Sequence, residues 1–182
     1  MPEVNAVINL KGNAFSNGAY KIVDAAGKQE FADDPNLILL NNPNWVQAKG
    51  EFMKQTKLGH EIFGNEFIYF NLPFGFTFDP SRIKAMYTIM ADMMEVEYEE
   101  KVPYFFFSKD APPQNIKYKY ETENGEHKEL PPESLIHLND NRVSGCKATD
   151  KNLLMGDSKL GPLSAPINNI RAVYESRGVI IT

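Results

Sequence analysis

Cysteine is almost missing from this chain: Cys146 stands alone among 182 residues, so no disulfide framework holds the fold. A lone thiol reads as a packing residue and fits a reducing cytoplasm. Long apolar runs are lacking too. None approaches the ~18 residues of a membrane span, and Met1-Pro2-Glu3-Val4 has no basic-then-apolar leader layout, which predicts a soluble, unexported chain without a membrane partner. Basic charge is in deficit: 19 Lys and Arg against 24 Asp and Glu leave a net charge of -5. That disfavours binding DNA by phosphate neutralisation, but leaves open a weakly acidic wall past which DNA slides. No internal repeat, low-complexity tract, phosphate-cradling Gly-rich loop or dinucleotide glycine motif occurs.

What is present suits one globular unit. The length is about that of one domain, and 42% hydrophobic with 24% charged residues suffices for a core without staples. Helical spacing of Val4, Val7, Ile8, Ala14 and Phe15 predicts a helix over 3–16, starting so near Met1 that a preceding segment is expected. A β-prone stretch at 20–23 turns at Gly27 towards 29–31. Asp34-Pro35 is a helix start for a short buried segment over 36–40. A helix over 44–63 follows, with Trp45, Ala48, Phe52, Ile62 and Phe63 as its apolar face, ended by Gly64-Asn65. A strand over 66–70 comes next.

Residues 83–98 fit a helix through Ile83, Met86, Tyr87, Met90 and Met94, and a strand through Ile83, Ala85, Tyr87 and Ile89; periodicity alone favours the helix. Tyr104-Phe105-Phe106-Phe107 reads as a core strand or a hydrophobic docking surface. Strands over 116–121 and 127–130 flank Asn124-Gly125, the strongest hairpin signal here, and Pro131-Pro132 separates them from a strand over 135–138. A polar loop to Asp157 precedes a helix over 162–177 bearing Ile167, Ile170, Val173 and Tyr174, stopped by Gly178. Val179-Ile180-Ile181-Thr182 starts a strand that points to a continuing parent chain. The class is α+β, with a central antiparallel or mixed β region between helices at 3–16, 44–63 and 162–177.

Chemistry finds little support. His60, His127 and His137 share no zinc-site spacing; the first two read as solvated, and His137 between Ile136 and Leu138 as a core or strand-edge imidazole. Gly156-Asp157-Ser158 resembles a hydrolase signature, but no His follows Ser158, so capping of the last helix by Asp157 or Ser158 is expected. Glu95, Glu97 and Glu99 alternate on one solvent face, with Glu100 beside them. Tyr118 and Tyr120 between Lys117 and Lys119 fit an ordinary hairpin or a platform for single-stranded nucleic acid.

Taken in order, these segments resemble the N-terminal half of the portal proteins of tailed double-stranded DNA phages. The shared features are Asn5-Ala6-Val7-Ile8 in the first helix, the strand and turn over 20–27, and Leu39-Leu40-Asn41-Asn42-Pro43-Asn44. They continue with Glu51-Phe52, Gly64-Asn65-Glu66-Phe67-Ile68-Tyr69, Leu135-Ile136-His137-Leu138, and the lead-in Gly156-Asp157-Ser158 with Gly161-Pro162-Leu163-Ser164, where Gly161 departs from the family's Ser. Residues 83–115 are the least similar, yet there the resemblance implies strands over 83–88 and 93–98 in place of a helix.

The resemblance implies a wing-type α+β portion spanning 1–182, without the stem and clip of a longer portal. Its role is a passive structural ring, commonly twelve-fold, through which DNA is packaged and ejected. Pro43, Asn44, Gly64, Asn65, Ile136, His137, Gly156, Ser158 and Pro162 are then structural positions, with no catalytic residue, cofactor or metal. The implied partners are other copies, a terminase that hydrolyses ATP, capsid and head-tail adaptor proteins, and DNA bound without sequence specificity; the implied location is the virion's portal vertex, with assembly in host cytoplasm. With stem contacts missing, the 182 residues alone are expected to be a monomer or weak oligomer. The rival readings are a small hydrolase using Ser158 or His137 and a single-strand-binding module.

Overall fold

The computed structural model describes residues 2–27, 30–72, 82–98, 116–140, 155–163, 165–166, 168–169 and 172–173. They form an α+β fold of helices α1 (Pro2–Ser16), α2 (Pro35–Asn41) and α3 (Lys49–Phe63) with strands β1 (Asn65–Asn71), β2 (Ala85–Ile89), β3 (Met94–Tyr98), β4 (Ile116–Glu121), β5 (His127–Leu130) and β6 (Leu135–Asn139). The strands make two antiparallel sheets, ordered β2-β1-β6 and β3-β4-β5.

Alternation along β1 joins the layers. Ile68 and Phe70 face α3 and pack with Phe52, Met53 and Met86. Phe67, fully buried, faces the second sheet and packs with Met94, Val96 and Tyr118. Outside α3 lies α1, and the contact closes at Gly12, where an added Cβ would stand 3.1 Å from Leu58. The helix α1 still leaves Val7, Leu10 and Phe15 exposed.

Local chemistry explains the boundaries. The Asp34 carboxylate accepts the Asn36 N–H at 2.8 Å, and Pro35 needs no donor at the first helical position. Of the segment expected to be buried here only Leu37 is; Ile38 is exposed. The turn at Gly27 (φ 68°) reduces to one bridge between Val23 and Glu30. Between β4 and β5, Gly125 takes φ 76° and donates to the Thr122 carbonyl.

Residues 83–98 form two strands separated by a 3-10 turn at Ala91–Met93, as the portal resemblance implied and against the helical periodicity. The apolar spacing is satisfied by burial on two sheets: Met86 joins the α3-facing core, Met94 and Val96 the other. On β3, Glu95 lies opposite Lys119 and Glu97 opposite Lys117. Glu97 also pairs with Lys119 at 2.6 Å. The acidic alternation is therefore matched by a basic one across the strand pair.

Other expectations require correction. The helix expected over 44–63 begins at Lys49, because the Asn44 side chain accepts the Val46 and Gln47 N–H groups and holds 44–47 in a turn. Trp45 therefore projects outward, 89% exposed, and Ala48 is exposed as well. The helix expected over 162–177 is preceded by a 3-10 turn at Gly161–Leu163, and its first described helical residue is Ala165. Readings of Glu99, Glu100, 104–107, Cys146, Gly178, 179–182 and the side chains of Ile167, Ile170 and Tyr174 fall outside the described residues.

The helices and the segment after residue 155 are tied by charge. Glu61, on α3 and buried, takes Lys57 at 2.6 Å, Lys11 of α1 at 2.9 Å and Lys159 at 3.1 Å. Lys159 also binds Asp140 at 2.7 Å, and that bond first, with Glu61, holds its pKa up against burial. Burial of Glu61 works against ionisation but is outweighed by the Lys57, Lys11 and Lys159 hydrogen bonds, which lower its pKa to about 2. The folded value lies below the ordinary 4.5, so this stabilisation is present above pH 4.5 and is lost as pH falls through about 2. Glu61→Gln should cost about 2–3 kcal/mol at pH 7, and urea unfolding should show the deficit closing between pH 4.5 and 2; a deficit unchanged at pH 2 would contradict this linkage.

Candidate functional site

Where α3 ends, Gly64 turns left-handed (φ 71°) and donates to the His60 carbonyl at 3.0 Å. The missing side chain matters twice, because an added Cβ would lie 2.1 Å from the Asp157 carbonyl oxygen. The next residue, Asn65, is 3% exposed and spends its carboxamide inside. Its Nδ2 donates to the Phe63 and Gly156 carbonyls at 3.0 and 2.7 Å, while Oδ1 accepts the Gly156 N–H at 2.6 Å. His137 Nε2 lies 3.1 Å from the same Oδ1 and therefore carries the proton in this contact.

Around this knot the backbone closes: Asp140 N–H donates to the Gly64 carbonyl at 3.0 Å, and Asp157 N–H to the Asp140 carbonyl at 3.1 Å. Gly156 is wedged between them, its absent Cβ 2.3 Å from both the Asp140 and Gly64 carbonyl oxygens. Ser158 Oγ donates to the Ile62 carbonyl and accepts the Leu160 N–H. Ser158 thus serves the end of α3, a correction to its expected capping of the last helix. Gly64, Asn65, His137, Gly156 and Ser158, far apart in sequence, meet at one junction. Ile136, the neighbour of His137, is 42% exposed, and Pro162 lies in the 3-10 turn closed by the Leu163 N–H on the Leu160 carbonyl.

A second junction holds Pro43 and Asn44. Edge strand β2 turns the Met86 N–H and C=O away from β1; the Pro43 carbonyl takes the first at 2.6 Å and Asn44 Nδ2 the second at 2.7 Å. With Pro43 fully buried, the two residues cover an otherwise open sheet edge.

The remaining candidates find structural positions. His137 stacks on Phe67 with ring centroids 4.3 Å apart and meets the edge of Tyr118. Tyr118 and Tyr120 are half-buried against the core between the sheets, the ordinary-hairpin reading of the two that their spacing offered. His127 is exposed; His60 is half-buried, its pKa lowered by burial and by Lys57 and Lys159. His60 and His137 line one cleft of about 410 Å³ with Lys57 and Asn139. Among the described residues no group of three or more His, Cys, Asp or Glu is placed to hold a metal ion, and no helix is long and apolar enough to cross a membrane.

Sequence reasoning missed two carboxylates, Glu61 and Glu66. Glu66, on β1, is 1% exposed and its Oε2 has no hydrogen-bond partner; burial pushes its carboxyl up to about 8. The group occupies the notch left by Gly59 on α3, where an added Cβ would fall 1.6 Å from Oε2. It borders a cavity of about 700 Å³. Position 66 shares the α3-facing alternation with Ile68 and Phe70, the one signal that placed this carboxylate inside.

No family model matches the chain, and no curated protein does. Solved structures show its fold. The neck of an empty gene transfer agent (GTA) particle computed with C6 symmetry contains a chain 16% identical, with TM-score 0.68, covered over 100% of this chain and 43% of that one. In the neck of a native GTA particle computed with C12 symmetry the values are 15%, 0.69, 100% and 42%. In the virion of the native particle they are 16%, 0.70, 100% and 42%. The chain therefore spans less than half the length of the chains it matches.

Two of the left-handed glycines, Gly64 and Gly125, give a paired test of the main junction. Gly125→Ala meets open space at φ 76° and should cost about 1 kcal/mol. Gly64→Ala carries the same backbone penalty and a collision with Asp157, so chemical denaturation should show a loss of about 2–4 kcal/mol; equal losses would show that the close approach at Gly64 carries no weight.

Proposed function

We propose that this chain is the wing-type part of a phage-like portal subunit, one α+β unit in a ring through which double-stranded DNA is packaged and ejected. The observation that carries this reading is the match of the whole chain to chains in particle necks computed with C6 and C12 symmetry. Portal-type order of the sequence motifs adds to it, and so does the junction into which five of those positions gather. Ring subunits also need apolar surface for neighbours, and Val7, Leu10, Ile38, Trp45 and Val46 are exposed. The implied partners are other copies, terminase, capsid and adaptor proteins, and the implied place is the portal vertex, reached by assembly in the host cytoplasm.

The hydrolase reading has less to stand on, since the Ser158 hydroxyl is occupied by the Ile62 carbonyl and the Leu160 amide. The net charge of -5 suits a wall that DNA passes rather than grips. The test is to purify particles from cells that encode the chain and determine its place by electron microscopy with quantitative mass spectrometry. The expected result is a twelve-fold ring at the neck, matching the symmetry of one matched assembly, in particles without ester turnover attributable to this chain. Absence of the chain from particles, or an esterase activity abolished by Ser158→Ala, would overturn the reading.

A further inference from the structure

The cavity beside Glu66 differs from the other clefts among the described residues in its apolar wall. It measures about 700 Å³, and Leu58, Ile62, Phe63, Ile89, Met93 and Leu130 give it an apolar wall. Into that wall is set a carboxyl group that is 1% exposed and has an oxygen without a hydrogen-bond partner. A buried carboxyl oxygen left without a partner is costly. The other titratable groups among the described lining residues are Tyr69, Tyr87 and Tyr120, so among those residues no lysine or arginine compensates it. Three lysines serve Glu61, two residues beyond Gly59 on the same helix, and that contrast marks Glu66 as an unmatched acid rather than a member of the ion-pair network.

We propose that this cavity is a binding site for an apolar stem ending in a primary ammonium group, with the Glu66 carboxylate as its counter-ion. An alkyl or aryl stem replaces water against the apolar wall, and the ammonium supplies a charge-assisted hydrogen bond where a hydroxyl supplies only a neutral one. No covalent bond changes. Below pH 8 the proton on the Glu66 carboxyl passes to solvent as the ammonium docks; above pH 8 the carboxyl is already ionised and nothing is released. The same chemistry has two sources, a free amine or a lysine side chain from another copy of this chain. The inference stands apart from the portal reading and is tested without particles.

The probes are n-hexylamine and 1-hexanol, titrated calorimetrically into the full chain at pH 6.5 in buffers of different ionisation enthalpy. Hexylamine should bind at least about tenfold more tightly than hexanol, since a charge-assisted bond exceeds a neutral one by at least that much, with release of nearly one proton. Glu66→Gln should remove both the preference and the release. Met90 is 54% exposed on the rim, so Met90→Trp narrows the mouth without touching the core and should weaken both probes. In sedimentation, self-association that hexylamine reverses assigns the ammonium to another copy's lysine, and a chain monomeric throughout assigns it to a free amine; each agrees with the proposal once hexylamine binds as stated. Equal binding of the two probes, no binding of either, hexylamine affinity unchanged in Glu66→Gln, or probe affinities unchanged in Met90→Trp would overturn it.

Discussion

The Asn65 carboxamide is the point on which the arrangement turns. A helix ending in a buried position leaves carbonyl groups without partners, and this one ends directly against the central strand. Asn65 answers the Phe63 carbonyl and both backbone groups of Gly156, and meets the ring of His137 on β6. One side chain thus fixes the end of α3, the start of β1 and the chain that returns after residue 155. Neither Asp, which lacks the donor, nor Leu, which lacks both, satisfies that set. The glycines on either side follow from the same closeness, since backbone rather than side chain occupies the space beside Gly64 and Gly156.

Within five residues of α3 and β1 the chain treats two buried carboxylates in opposite ways. Glu61 is surrounded by three lysines from three segments and is held ionised. Glu66 sits against a glycine, with no cation among the described residues that line its wall, and burial drives it towards the neutral acid. The first stabilises by gathering elements. The second opposes folding increasingly as pH rises from 4.5 through about 8, because the unfolded carboxyl ionises first. A protein that keeps such a group retains a local cost, and sites of that kind are where binding is most often found.

The strands and turns were legible wherever local chemistry decides them: Asp34-Pro35 before α2, Gly64 after α3, Asn124-Gly125 between β4 and β5, and the alternation on either side of it. Residues 83–98 were not legible from periodicity, because Met86 and Met94 serve different cores and their spacing imitates one helix face. Trp45 misled for a related reason, since an Asn side chain that captures two amides outweighs the hydrophobicity of the next residue. Of the main junction, sequence marked the positions Gly64, Asn65, His137, Gly156 and Ser158, but not what they do together. Contacts between residues 91 apart, as for Asn65 and Gly156, leave no periodic trace.

The account holds that these marked positions form one load path between helix, sheet and returning chain, with the Asn65 carboxamide at its centre. Amide hydrogen exchange in the native protein and in Asn65→Ala tests this residue by residue. The Gly156 and Asp140 amides should lose protection by tenfold or more, about 1.4 kcal/mol of local opening, while Met86, covered by Pro43 and Asn44 at the other junction, keeps its protection relative to global unfolding. Unchanged exchange at Gly156, or an equal loss at Met86, would contradict it.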